Sequence, residues 1–306
     1  MTPLRKRRYR RIALASAGVL LALALIDSLI GALVYKTGTE AHVSVIPARD
    51  GQNRRAIVVL PGYVMSGSVV GRAFRPFVAG TDALVSVDYP QTGLDTSEIY
   101  RQVEAALQEL APSEVVFYGA SMGGMVAAQL LRQYEAEGAR YGRPTLVLDT
   151  APAAYADVKR PDWLFKVACW YRGGPIAALV WAAGTALVDT PPTGAGADPQ
   201  LVRRGHRAGT WVGGTAAASQ GCFIGRFELG SGDAATTGDL KGIFYLHATS
   251  SEQDPLINTS TAINRWRNIF PSLADVVVEG RQGGWHIPLV ERPEETATAL
   301  LSVLER

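Results

Sequence analysis

The residues best suited to chemistry gather around one serine. In VVFYGASMGGMVAAQLL (Val115 to Leu131) a β-branched and aromatic run ends in Gly119-Ala120-Ser121-Met122-Gly123, and small and aliphatic residues at helical spacing follow. This G-x-S-x-G spacing predicts a tight strand-to-helix turn. Small residues two positions to either side of Ser121 let the backbone close and expose the hydroxyl at the end of the strand. The helix start adds N–H groups and a positive dipole end, both suited to a developing oxyanion. Taken alone, the same serine is simply a small residue where a strand meets a helix, so its meaning depends on distant segments.

A serine hydroxyl is inert at neutral pH without a base. Of the four histidines, His42 follows an apolar N-terminal segment and His206 lies in a tryptophan-rich middle region. His247 sits inside an apolar run, where a packed or hydrogen-bonded ring is expected. His286 stands in QGGWHIPLVERPEE, a glycine-rich loop that can present an imidazole, and is the candidate base. Such a base needs an acid to fix its tautomer. Asp254, in TSSEQDPLIN 32 residues before His286, is the first candidate; Glu252 in the same loop and Asp149 at the end of an earlier run are the alternatives.

These residues must be held by a scaffold, and the patterning describes one. Short apolar runs at Val43–Ile46, Ala56–Leu60, Ala83–Tyr89, Glu114–Tyr118, Thr145–Asp149 and Gly242–Ala248 predict strands. Helical spacing over Thr96–Leu110, about Met122–Glu137 and Thr296–Leu304 predicts covering helices. This alternation means an α/β fold with a doubly wound, mostly parallel sheet covered on both faces. Ligand sites in such sheets lie at the carboxyl ends of the strands. The alternation breaks between about Ala153 and Asp239. There, four of the six tryptophans (Trp163, Trp170, Trp181, Trp211) accompany the helical runs PDWLFKVACWYR and PIAALVWAAGTALV, with a further helix expected near Asp198-Pro199. An all-helical insertion of this size reads as a cap. The expected organisation is a basic tip (1–11), an anchor or signal segment (12–35), a core (40–152 and 240–306) and a cap (153–239).

The N-terminus has its own logic. Six of the 30 Lys and Arg residues fall in the first 11 positions, leaving 24 basic against 28 acidic side chains elsewhere, a net of −4. A nucleic-acid surface on the body is therefore not expected. Ile12 to Tyr35 follows, apolar apart from Ser16, Asp27 and Ser28. As a helix, its 24 residues reach roughly 36 Å, enough for a hydrocarbon core of about 30 Å. Without a clear A-x-A-like cleavage pattern, an uncleaved anchor is favoured over a signal peptide, which would yield a secreted protein. In both cases the positive-inside rule sends the body across the membrane, to the periplasm or cell surface. Two cysteines, Cys169 and Cys222, could pair in such a compartment, but their spacing does not say whether they meet. They are too few for a cysteine-rich zinc site. No P-loop or dinucleotide fingerprint occurs, so no cofactor or metal is expected.

From Val43 to the end the sequence resembles a capped α/β-hydrolase. LPGYVMSG, VDYPQTG, YGASMGG and GGWHIPLVERPEE carry the likeness, as does the chain order Ser121, Asp254, His286. LPGYVMSG is similar to the family's H-G-x-x-x-S/G loop, with Pro61 where the family has histidine. The resemblance implies that the backbone N–H groups of Tyr63 and Met122 form the oxyanion hole. It also implies a Ser-His-Asp serine hydrolase acting on esters through an acyl-enzyme. The apolar cap and anchor suggest a lipophilic acyl substrate. An acyltransferase or serine peptidase on the same scaffold, or a non-catalytic membrane-tethered binding protein, are the alternatives.

Overall fold

The computed structural model describes residues 3–34, 40–91, 93–160, 162–171, 173–176, 179, 197–198, 200, 214–229, 240–248, 254–279 and 288–305. Most of PIAALVWAAGTALV, the helix expected near Asp198-Pro199, Trp181, Trp211, His206, Glu252 and the His286 loop lie outside these residues.

Among the described residues, seven strands form one sheet: β1 (His42–Ile46), β2 (Arg55–Leu60), β3 (Asp82–Asp88), β4 (Glu114–Ala120), β5 (Thr145–Asp149), β6 (Gly242–His247) and β7 (Ala274–Val277). Their order is β1-β3-β2-β4-β5-β6-β7. β1 runs antiparallel to β3, and every other pairing is parallel. The helices are α1 (Pro3–Val34), α2 (Gly67–Phe74), α3 (Thr96–Leu110), α4 (Met122–Ala136), α5 (Asp162–Trp170), α6 (Gly214–Arg226), α7 (Thr259–Ile269), α8 (Pro288–Glu291) and α9 (Pro293–Leu304).

The continuous apolar strand runs follow from burial on both faces. Ala56, Val58 and Leu60 of β2 join Phe117 of β4 and the buried faces of α3, α4 and α7. Ile57 and Val59 turn the other way, with Tyr118, toward α2 and α9. α3 starts where Asp95 caps it, its carboxylate accepting the N–H groups of Ser97 and Glu98. At the amino ends of the strands, Arg55 bridges Asp82 (3.3 Å) and Glu114 (3.1 Å). The loops after β2, β4, β5 and β6 leave from the opposite edge.

α2, α7 and β7 were not among the sequence expectations. α2 is hidden by Gly67 and Gly71, poor helix formers that close packing requires. A Cβ on Gly67 would come within 2.1 Å of the Val87 carbonyl oxygen, and one on Gly71 within 2.0 Å of Ser86 Oγ. β7 is a short and largely exposed edge strand, so it lacks the apolar run that marks its neighbours.

The segment between β5 and β6 holds α5 and α6, which pack against each other. A Cβ on Gly221 would lie 3.0 Å from Ala168 Cβ, and one on Gly225 2.9 Å from Phe165 Cβ. Beside these contacts Cys169 and Cys222 form a disulfide, with Cα atoms 4.5 Å apart, which answers the pairing question that their spacing left open.

α1 contains a 20-residue apolar stretch, Ile12–Gly31, long enough to cross a membrane. Most of its apolar side chains are exposed, whereas Asp27 is fully buried.

Candidate active site

Ser121 sits between β4 and α4 with φ 51° and ψ −125°. A non-glycine residue in the left-handed region costs of order 1–3 kcal/mol and persists only where its surroundings fix it. Two contacts do so. The Ser121 N–H donates to the Asp149 carbonyl (2.8 Å), and the Ser121 carbonyl accepts from Gly124 N–H (2.9 Å). The flanking glycines are needed for close approach. A Cβ on Gly119 would sit 2.4 Å from the Gly123 oxygen, and one on Gly123 2.0 Å from the Leu60 oxygen. Ser121 itself is only 7% exposed.

Two more residues with positive φ stand at the same edge of the sheet: Val64 (52°) after β2 and Thr150 (46°) after β5. Both are β-branched, for which this conformation is a genuine outlier. Strain is therefore concentrated on three loops leaving adjacent strands around Ser121.

The loop after β2, LPGYVMSG, runs beside the serine. A Cβ on Gly62 would lie 3.3 Å from Ser121 Cβ and 3.9 Å from its Oγ. Gly62 is thus packed against the serine side chain, and Tyr63 is the next residue in the loop. Met122 opens α4, so its N–H is among the first four that no helical carbonyl accepts. The loop is pinned from two sides. From β3, Tyr89 OH donates to the Pro61 carbonyl (3.0 Å), and Asp88 accepts from Ser66 Oγ (2.8 Å) and Ser68 N–H (3.3 Å). This gives the VDYP segment a supporting role. From α6, buried Gln220 accepts the Val64 N–H at 2.6 Å through Oε1. Tyr63 OH donates to the Ala217 carbonyl at 2.9 Å, and burial pushes its hydroxyl up to about 12, so it remains a donor at neutral pH. Gln220 carries no sequence signal, because its importance arises from a contact 156 positions away.

Asp254 lies in the loop after β6, two strands from β4 and so about 10 Å across the sheet. It is 7% exposed, and its Oδ1 accepts the N–H groups of Leu256 and Ile257, both at 2.8 Å. Its carbonyl accepts from Lys159 Nζ (2.7 Å). The loop is tied further to the chain leaving β5, where Lys159 N–H donates to the Leu256 carbonyl (2.6 Å) and Asn258 N–H to that of Asp157 (2.7 Å). Asp149, fully buried, accepts a hydrogen bond from Tyr118 OH, and its main chain holds Ser121. His247 places Nδ1 2.7 Å from the Ala248 carbonyl, matching the hydrogen-bonded ring expected of it. Among the described residues no group of three or more His, Cys, Asp or Glu side chains could hold a metal ion.

The sheet order and its covering helices are those of an α/β-hydrolase, and the sequence agrees: residues 57–299 match the model of the alpha/beta hydrolase family, to which this chain belongs. No curated protein matches it in sequence. Among solved structures, an esterase from Exiguobacterium antarcticum is 16% identical, with a TM-score of 0.61 over 87% of this chain and 96% of that one. An enol-lactonase from Burkholderia xenovorans LB400 is 17% identical, with a TM-score of 0.60 over 88% and 98% of the two chains. A bacterial membrane phospholipase A, described as a virulence factor, is 17% identical with a TM-score of 0.57, and covers 98% of each chain.

Proposed function

We propose that the chain is a membrane-anchored serine hydrolase that cleaves a lipophilic acyl ester. The observation that carries this reading is Ser121 at φ 51°, with Gly62 packed against it. Ser121 Oγ attacks the ester carbonyl and passes its proton to His286. The amides of Tyr63 and Met122 hold the oxyanion, and collapse of the tetrahedral species expels the alcohol, which takes the proton from His286. Water, activated by the same histidine, then attacks the acyl-enzyme, and the acid leaves as Ser121 regains its proton. In this scheme Asp254, oriented by the Leu256 and Ile257 amides, holds the imidazole in the productive tautomer.

Residues 40–152 and 240–306 form the catalytic core, and 153–239 the cap. Residues 12–35 anchor the chain, with the basic tip (1–11) in the cytoplasm and the body outside it. The disulfide supports an oxidising compartment. Esterases among the structural relatives support ester chemistry, and the phospholipase, alike over nearly the whole length, supports a lipid acyl substrate.

The test is labelling of the detergent-solubilised protein with a fluorophosphonate probe. Wild type is expected to be labelled and Ser121→Ala is not; an unlabelled wild type sinks the proposal. A second expectation concerns support of the oxyanion loop. Gln220→Ala leaves the buried Val64 N–H without its acceptor, at a cost of about 1–3 kcal/mol. It should lower kcat on a p-nitrophenyl ester about 10-fold with little change in KM, since the loop acts on the transition state. Steady-state kinetics beside a thermal melt separates this from unfolding.

A further inference from the structure

The buried charge on α1 has a partner that the catalytic reading does not use. Asp27 Oδ2 accepts a hydrogen bond from Tyr171 OH, and its Oδ1 accepts the Ile176 N–H at 2.8 Å. Both donors belong to the stretch that follows α5. The backbones touch on either side of this pair. A Cβ on Gly174 would meet the Asp27 carbonyl oxygen at 2.1 Å, and one on Gly31 would meet the Gly173 oxygen at 2.1 Å. Burial, and then the bond to Asp27, raise the Tyr171 hydroxyl above its ordinary range, so it stays a donor. The cap is thus clamped to α1 rather than connected to it only through the chain.

The position of the clamp matters. Asp27 lies four residues before Gly31, where the apolar stretch ends, which is about 6 Å inside that end of the span. The segment that grips it begins directly after Trp170. On α5, Trp163, Leu164, Val167 and Trp170 are exposed, Trp170 at 89%, while Phe165 turns inward onto α6. Trp163, Val167 and Trp170 fall at spacings of four and three, a single stripe of the helix. The side chains of Ile176, at the clamp, and of Leu179, after it, are exposed as well. Such a surface, rich in tryptophan and beginning at the level where a spanning helix leaves the hydrocarbon, matches the interfacial zone of a bilayer, where an amphipathic helix buries its apolar face.

We infer that the exposed face of α5, with Ile176 and Leu179, is immersed in the outer leaflet of the bilayer that α1 crosses, held at that depth by the Asp27 clamp. The inference rests on the anchor reading of α1 and is independent of the reaction that the site performs. The occupant is lipid because Tyr171 and Ile176, which follow α5 directly, are bonded to the spanning helix about 6 Å inside the end of its apolar stretch. A second copy of the chain is the competing occupant.

The experiment uses the full-length protein reconstituted at high dilution into phosphatidylcholine–phosphatidylglycerol vesicles, with or without lipid brominated in the upper acyl chain. Tryptophan fluorescence is compared between wild type and Trp163→Phe/Trp170→Phe, and the difference isolates these two indoles. The expected result is that bromolipid quenches the difference signal and that the double variant loses this component while it still hydrolyses a short soluble ester. A protein that floats with the vesicles but whose difference signal is insensitive to bromolipid and quenched by aqueous iodide overturns the inference and leaves the anchor standing. Insensitivity to both quenchers, with cross-linked dimers that disappear in the double variant, overturns it in favour of a second copy. Failure to float removes the anchor and the inference together.

Discussion

His286→Ala is expected to lower kcat on any ester substrate about 10⁴-fold or more, the loss seen when a serine hydrolase is left without its base. A melt of the variant separates loss of the base from loss of the fold. The partner substitutions decide the acid. Asp254→Asn should cost a similar factor, because an amide cannot stabilise the imidazolium or enforce its tautomer. Its Oδ1 equivalent can still accept the Leu256 and Ile257 amides, so the loop keeps its shape. Asp149→Asn alters the group that accepts from Tyr118 OH under the sheet. The expectation there is a drop in stability of about 1–3 kcal/mol, with kcat changed less than about 10-fold. Glu252→Gln should change neither. Steady-state kinetics with a melt for each variant gives the assignment; a large kcat loss in Asp149→Asn with little in Asp254→Asn reverses it.

The second large effect concerns the cap. Cys169 and Cys222 are 53 residues apart, and closing a loop of that size removes roughly 4 kcal/mol of chain entropy from the unfolded state in the entropic account of disulfides. The Cys169→Ala/Cys222→Ala double variant should therefore lose several kcal/mol of stability in the α5–α6 pair, and limited proteolysis should cut α5 or α6 well below the global melting temperature. Activity should fall with it, because α6 carries Gln220 and the Ala217 carbonyl to the loop after β2, the proposed oxyanion loop. Proteolysis of the wild type with and without reductant, followed by mass spectrometry, locates the cuts. Equal resistance in the two states would mean that the packing of Gly221 and Gly225 on α5 suffices alone.

The sheet was legible in the sequence because parallel strands buried on both faces must be apolar throughout, as Ala56–Leu60 and Thr145–Asp149 are. α3 was legible for a different reason: one polar face and one buried face give it a clean period, from Asp95 as cap to Leu110. α2 and α6 were not, since their glycines signal a helix breaker locally and earn their place only through contacts with β3 and α5. The turn at Ser121 was foreseen from G-x-S-x-G, but the matching strain at Val64 and Thr150 was not, since β-branched residues normally exclude positive φ. Gln220 and the Asp27 clamp were illegible for a shared reason. Each is a polar residue whose role depends on a hydrogen-bond partner about 150 positions away. Asp27 read as an interruption in an apolar run, and the fold turns it into an attachment point.

The contacts that α6 makes with the loop after β2 also bear on the order of events in a catalytic cycle. Ala217, Gln220 and Cys222 lie within two turns of one helix, and together they join the loop after β2 to the disulfide-braced pair α5 and α6. In the proposed mechanism, loosening α6 from this loop withdraws the acceptor from Val64 N–H and releases Tyr63 together. In that mechanism the loop is competent for chemistry only while α6 is seated on it.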